Sequence, residues 1–222
     1  MANLLAFYFS SPIIIFEVIA LLFSFFTLSR KNEKELRYFV PLLGIVCITE
    51  FLGTLFIHYK WVKNIMVYNI MDIITIVGYL SIIARLLHNE KFKFYIRCGM
   101  LVFSVFAIAN LIFIQGFNEW TTYTTISGAI VVLVAVVLAF IEISNYPYQI
   151  SLRREPLFWI CCSMFVYFLP TAVMTTSYTH FSQTLNSAKV YAEAYYLSQN
   201  YFSLLHYGLL SYSVICRLIF PV

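Results

Sequence analysis

The chain is 222 residues long, 62% hydrophobic and only 11% charged, with a formal net charge of +4 and a mean hydropathy of +0.85. A soluble domain carries about 25% charged residues, and more than half of any folded surface is already apolar, so a water-soluble fold cannot hide this much apolar side chain. Disorder and nucleic-acid binding are excluded as well: there is too much to bury, and the Lys and Arg sit in short polar breaks rather than on one face.

What remains is an all-α integral membrane bundle. A bilayer core is about 30 Å thick and takes about 20 apolar residues per helix. Read at that length, the sequence predicts seven transmembrane spans, at 4–28, 38–58, 64–87, 95–115, 121–144, 156–179 and 195–220. The breaks between them are short and polar. With no linker for a second domain and no internal repeat, residues 1–222 are expected to form a single bundle.

The first span carries Glu17 near its middle, in Ile15-Phe16-Glu17-Val18-Ile19, and is too long for a cleaved signal peptide. The second places Glu50, after Thr49, slightly outside its middle. In the third, Asn69 and Asp72 are spaced i, i+3 and so share a face. The fourth ends outside at Asn110. The fifth is nearly all Val, Ala and Leu from 128 to 139 and is expected to face lipid or another subunit. At its inner end Glu142 is expected to snorkel to water, as are Arg85 and Arg97. The sixth opens at Pro156 and contains Pro170, which removes a backbone donor and should kink it. The seventh places His206 near its middle, with Ser203 one turn above and Gln199 and Asn200 above that. Tyr95, Trp61, Trp120, Trp159 and Tyr195, near span ends, read as interfacial anchors.

Basic residues stay on the cytoplasmic side. With the N-terminus outside, the inner segments hold Arg30, Lys31, Lys34, Arg37, Arg85, Lys91, Lys93, Arg97, Arg153, Arg154 and Arg217, and the outer ones only Lys60, Lys63 and Lys189. The expected orientation is N-terminus outside and C-terminus cytoplasmic, as a multi-pass protein of the cell inner membrane. The segments outside the spans are too short for a soluble catalytic or nucleotide-binding domain. Any output is therefore expected to pass through the bundle, its loops or a partner chain.

An ionisable group inside a span costs about 2.5–3.5 kcal/mol on insertion scales and marks a functional site by default. Glu17, Glu50, Asp72 and His206 all fall between the bilayer centre and its outer third, joined by Asn69, Asn110 and Asn200. A ring of seven helices brings spans 1, 2, 3 and 7 together, so these residues are expected to line one polar cavity open to the outside. With no Lys or Arg at that depth, the carboxylates either hold protons or bind a cation or a donor-rich ligand. The plain alternative is that they glue helices together, at about 0.6 kcal/mol per hydrogen bond.

The five cysteines form no C-x-x-C pair, and His58, His88, His180 and His206 are scattered. Neither a disulfide framework nor a zinc site is expected, and no cofactor is implied. Seven helices invite comparison with rhodopsins, but the last span has no Lys for a retinal Schiff base. The ceramidase-type hydrolases bind zinc through several His, and here only His206 is deep. Thr49-Glu50, Tyr68 with Asp72, and Pro156-Leu157-Phe158-Trp159-Ile160 together resemble a family of short Bacteroidota-type seven-helix integral membrane proteins. That resemblance implies the fold and the membrane location, and no particular activity. The chain is also similar in size to lysoplasmalogenase-like membrane hydrolases, which place carboxylates within the bundle.

The first functional expectation is a small-ligand-binding or sensory, receptor-like protein. Its ligand enters from the outer side, and a cytoplasmic or membrane signalling partner receives the output. The alternative is a small proton- or cation-coupled transporter, although carriers usually show repeats and broken helices. A second alternative is an intramembrane lipid hydrolase in which one carboxylate is the general base. No catalytic residue is assigned.

Overall fold

A computed structural model of the chain describes residues 12–29, 34–59, 65–145, 151–181 and 188–219. Residues 4–11 of the first expected span, and Lys60, Trp61 and Lys63, lie outside the described residues. Among the described residues there are seven α-helices and no strand: α1 (Pro12–Phe25), α2 (Phe39–Tyr59), α3 (Ile65–Leu86), α4 (Glu90–Ala109), α5 (Thr122–Ser144), α6 (Pro156–Phe181) and α7 (Ala188–Ile219). Five helical stretches are long and apolar enough to cross a membrane: Lys34–Phe56, Ile65–Leu86, Glu90–Ile114, Thr122–Ser144 and Pro156–Ser177, with Pro12–Leu28 a shorter apolar helix. α7 begins seven residues before the expected start of the last span. At 1.5 Å per residue its 32 residues run about 48 Å, well beyond a 30 Å core.

Six helices close into a ring in the order α1, α2, α3, α5, α6, α7, with α7 returning to α1, and α4 packs from outside on α3 and α5. α3 sits between α2, α4 and α5 and buries Met71, Ile76, Tyr79, Leu80, Ile82, Ile83 and Ala84. α4 and the turn that follows it expose Leu101, Val102, Val105, Ile108 and Phe113. The expectation for α5 holds for one face only: Ile130, Val134, Val137 and Ile141 are exposed, while Gly128, Ala129, Val132, Ala135, Val136 and Ala139 are buried. Lipid tails are as apolar as Leu, so helices in a membrane associate through small residues that let backbones approach. Gly128 shows this directly, since a Cβ there would collide with Ile76 of α3 and lie 3.0 Å from the Phe103 ring of α4.

One end of the bundle is basic. Arg85 at the end of α3 donates to the Tyr38 hydroxyl just before α2 at 3.1 Å, and the Cys216 thiol of α7 lies 3.7 Å from the Arg154 carbonyl before α6. Glu142 sits at the same end, and here the expectation is corrected. It is buried rather than snorkelling, because its carboxylate accepts the backbone N–H of His88 at 2.6 Å and of Asn89 at 3.0 Å. Those two donors lie in the turn between α3 and α4 and have no place in either helix's ladder. Asn89 in turn caps α4 by accepting from the Lys91 N–H at 3.0 Å.

At the opposite end α4 widens into a π-turn, Asn110–Ile114, closed by the Gln115 N–H on the Asn110 carbonyl at 2.9 Å. Gly116, at φ +78°, then reverses the chain in a conformation that side chains resist. α6 runs unbroken from Pro156 to Phe181 through Pro170, so the expected interruption is absorbed within one helix.

Candidate functional site

The polar residues inside the ring are paired one by one, each pair joining two helices. Glu17 of α1 is 3% exposed and has the Tyr207 side chain of α7 as its hydrogen-bonding partner, while its Oε2 has none. Glu50 of α2 accepts from the Tyr68 hydroxyl of α3 at 2.9 Å. Tyr68 reaches it only because residue 53 is Gly: a Cβ there would come within 2.5 Å of that hydroxyl. Asp72 of α3 accepts from Thr125 of α5 at 3.3 Å.

His206 of α7 is fully enclosed. Its Nδ1 lies 3.1 Å from the Ser163 carbonyl of α6 and its Nε2 2.8 Å from the Tyr79 hydroxyl of α3. A carbonyl only accepts, so in the neutral ring Nδ1 carries the proton and Nε2 accepts from Tyr79. The ring meets Tyr79 edge-on at 5.4 Å and lies against Tyr167 at 5.0 Å.

The acids therefore do not converge on one point. Among the described residues no three His, Cys, Asp or Glu side chains come together as a metal ion requires. Glu17 and Asp72 are each within electrostatic reach of Glu50, and Tyr167 is within reach of all three. Sequence reasoning missed these tyrosines. It took Tyr as a residue of the membrane interface, whereas Tyr79 and Tyr207 are buried in mid-helix. The available signal was depth and register, since Tyr68, Asp72 and Tyr79 are spaced i, i+4, i+11 along one face of α3.

Two of the expected site residues act on the loop between α4 and α5. Asn69 donates to the Glu119 carbonyl at 2.7 Å and accepts from the Thr121 N–H at 3.3 Å and hydroxyl at 3.1 Å. Asn110 donates to Gln115 at 2.8 Å and to Thr124 of α5 at 2.9 Å, and Gln115 donates on to Thr122 at 3.0 Å. These bonds hold the π-turn, the reversal and the start of α5 as one unit, and they fix Trp120.

Trp120 is the wall between two cavities. One, of about 240 Å³, is lined by Ile65, Tyr68, Asn69, Asp72 and Trp120. The other, of about 450 Å³, is lined by Ile13, Trp120, Tyr167, Tyr195, Tyr196, Gln199, Asn200 and Ser203. Asn200 thus lies in the second cavity, away from Asp72 in the first. The rings of Trp120 and Tyr195 meet edge-on at 5.6 Å, and Trp120 remains exposed. Gln199 accepts from Thr171 at 3.3 Å, yet its amide nitrogen is buried without a partner. Aromatic walls with a few placed polar groups suit a small ligand, and a carboxylate beside aromatic faces suits one bearing donors or positive charge.

Set against known proteins, the chain matches no family model, no curated protein and no solved structure.

Proposed function

We propose that this chain is a seven-span protein of the cell inner membrane, N-terminus outside and C-terminus cytoplasmic, that binds a small ligand from the outer side. Binding then acts on a cytoplasmic or membrane partner. The basic end supports the orientation, because Lys34, Arg37, Arg85, Lys91, Lys93, Arg97, Arg153 and Arg154 belong to it, against Lys189 near the start of α7 at the other end. At the other end lie the two cavities that share Trp120.

The observation that carries the reading is Gln199, whose amide stands in the wall of a cavity of about 450 Å³ with its nitrogen unpaired by any protein group, where an acceptor on a ligand can take its N–H. Below it the contact from His206 to Tyr79 and Ser163 joins α3, α6 and α7, so a ligand that shifts α7 moves three helices together.

Native mass spectrometry on gently extracted protein tests this. The wild type is expected to carry a stoichiometric non-lipid adduct that is lost in Gln199→Leu, with elution volume unchanged. No adduct in the wild type, or one that survives Gln199→Leu, overturns the reading.

A second reading, a proton-coupled carrier, is favoured by the acids themselves. Glu17, Glu50 and Asp72 are matched to hydroxyls rather than to cations, and one oxygen of Glu17 is left over. Proteoliposomes with an internal pH dye would then show flux that Glu17→Gln abolishes. Equal flux in both proteins counts against it.

A further inference from the structure

A third cavity, of about 470 Å³, lies outside the ring, between α2, α3 and α4. Its origin is the placement of α4. Gly78 lets Leu42 of α2 press against α3, where a Cβ would stand 2.5 Å from the Leu42 methyl, while α4 packs on α3 and α5 rather than on α2. The cleft that remains has walls of Ile45, Ile74, Val77 and Ile108, and Ile45, Ile74 and Ile108 are exposed. Its two hydroxyls are spent internally: Ser81 donates to the Met100 sulfur at 3.3 Å and Ser104 to the Met100 carbonyl at 2.8 Å. Nothing polar within the cleft calls for water.

The mouth differs from the walls. Arg85 stands there, its guanidinium 4.1 Å over the Tyr38 ring and donating to the Tyr38 hydroxyl at 3.1 Å. Among the described residues no carboxylate pairs with it. The hydroxyl and ring take up part of the guanidinium and leave its remaining donors facing out at the basic end of the bundle. From Ile73 to Arg85 the cleft follows α3 for thirteen residues, a rise of about 18 Å at 1.5 Å per step, close to the roughly 15 Å depth of one leaflet's hydrocarbon.

We infer that this cleft is a lipid site, holding one acyl chain of an anionic phospholipid whose phosphate pairs with Arg85. A hydrocarbon groove one leaflet deep matches the chain, and a planar guanidinium presenting parallel N–H donors matches the phosphate. Basic pockets between spanning helices recognise anionic headgroups by this combination of apolar depth and charge at the mouth. The site is separate from the ligand cavities at the other end of the bundle.

The test is native mass spectrometry of the purified chain titrated with phosphatidylglycerol or phosphatidylcholine. For the wild type the first phosphatidylglycerol is expected to bind about fivefold more tightly than phosphatidylcholine, from the contribution of one cation near a headgroup. Arg85→Gln removes that preference and leaves phosphatidylcholine binding as it was. Ile74→Trp fills the cleft and weakens both lipids. Arg85→Gln changes an exposed side chain, so it keeps the test valid if Ile74→Trp does not fold. A preference that survives Arg85→Gln overturns the inference, as does a dimer that excludes lipid and is broken by Ile74→Trp.

Discussion

Glu17 and Glu142 are both buried carboxylates, and they are accommodated in opposite ways. Glu142 accepts two backbone N–H groups and has the His88 ring nitrogen at 3.4 Å. Glu17 has one side-chain partner and an oxygen left over. The first arrangement serves the fold and the second is available for function. Replacing Glu142 by Ala withdraws the acceptor from His88 and Asn89 and is expected to cost about 1–3 kcal/mol; Glu142→Gln, which keeps one acceptor oxygen, should cost less. Glu17→Gln should leave stability nearly unchanged. Cys161 and Cys216 are buried thiols, so melting followed with a thiol-reactive dye reads all three variants. A Glu142→Ala curve that overlays the wild type would refute the assignment.

At the level of helices, the sequence made the elements legible and their neighbours less so. Hydrophobic length located the helices because a spanning segment must satisfy its backbone internally. That α5 has a buried face as well as an exposed one was not foreseen, because its Val, Ala and Leu composition is apolar all round. The informative feature was the register of its small and β-branched residues. Positions 128, 132, 135 and 139 repeat at i, i+4, i+7, i+11 and form one stripe, and that stripe is buried. The π-turn after α4 was not legible, since it depends on Asn110 meeting Thr124 of a different helix. The tyrosine partners of the acids were legible only in part: register places Tyr68, Asp72 and Tyr79 on one face of α3, but a Tyr–carboxylate pair across helices has no spacing in the sequence. Gly128→Val is expected to destabilise the bundle by about 1–3 kcal/mol through overpacking against Ile76 and Phe103. Val134→Leu, on the exposed side of α5, should change the dye-melting midpoint little. Equal effects of the two would remove the argument that α5 is a packing helix.

For the whole molecule the proposed orientation rests on the asymmetry of charge, and with it the side that each cavity would face. Translocating a loop rich in Lys and Arg is disfavoured, and short loops obey this most strictly. Asn118, in the reversal before α5, and Asn145, just after it, are both exposed and bracket one helix long and apolar enough to span. In a background with Cys47, Cys98, Cys161, Cys162 and Cys216 replaced, Asn118→Cys should react with a membrane-impermeant maleimide in intact spheroplasts. Asn145→Cys should react only after lysis. Labelling of both before lysis would mean that α5 does not cross. The inverse pattern would turn the molecule over, and the consequences then move together. The Trp120 cavities would meet the cytoplasm, Gln199 and Asp72 would await an intracellular ligand, and the Arg85 cleft would draw its lipid from the outer leaflet. The same two residues thus decide between a protein that samples the outside and one that samples the cell.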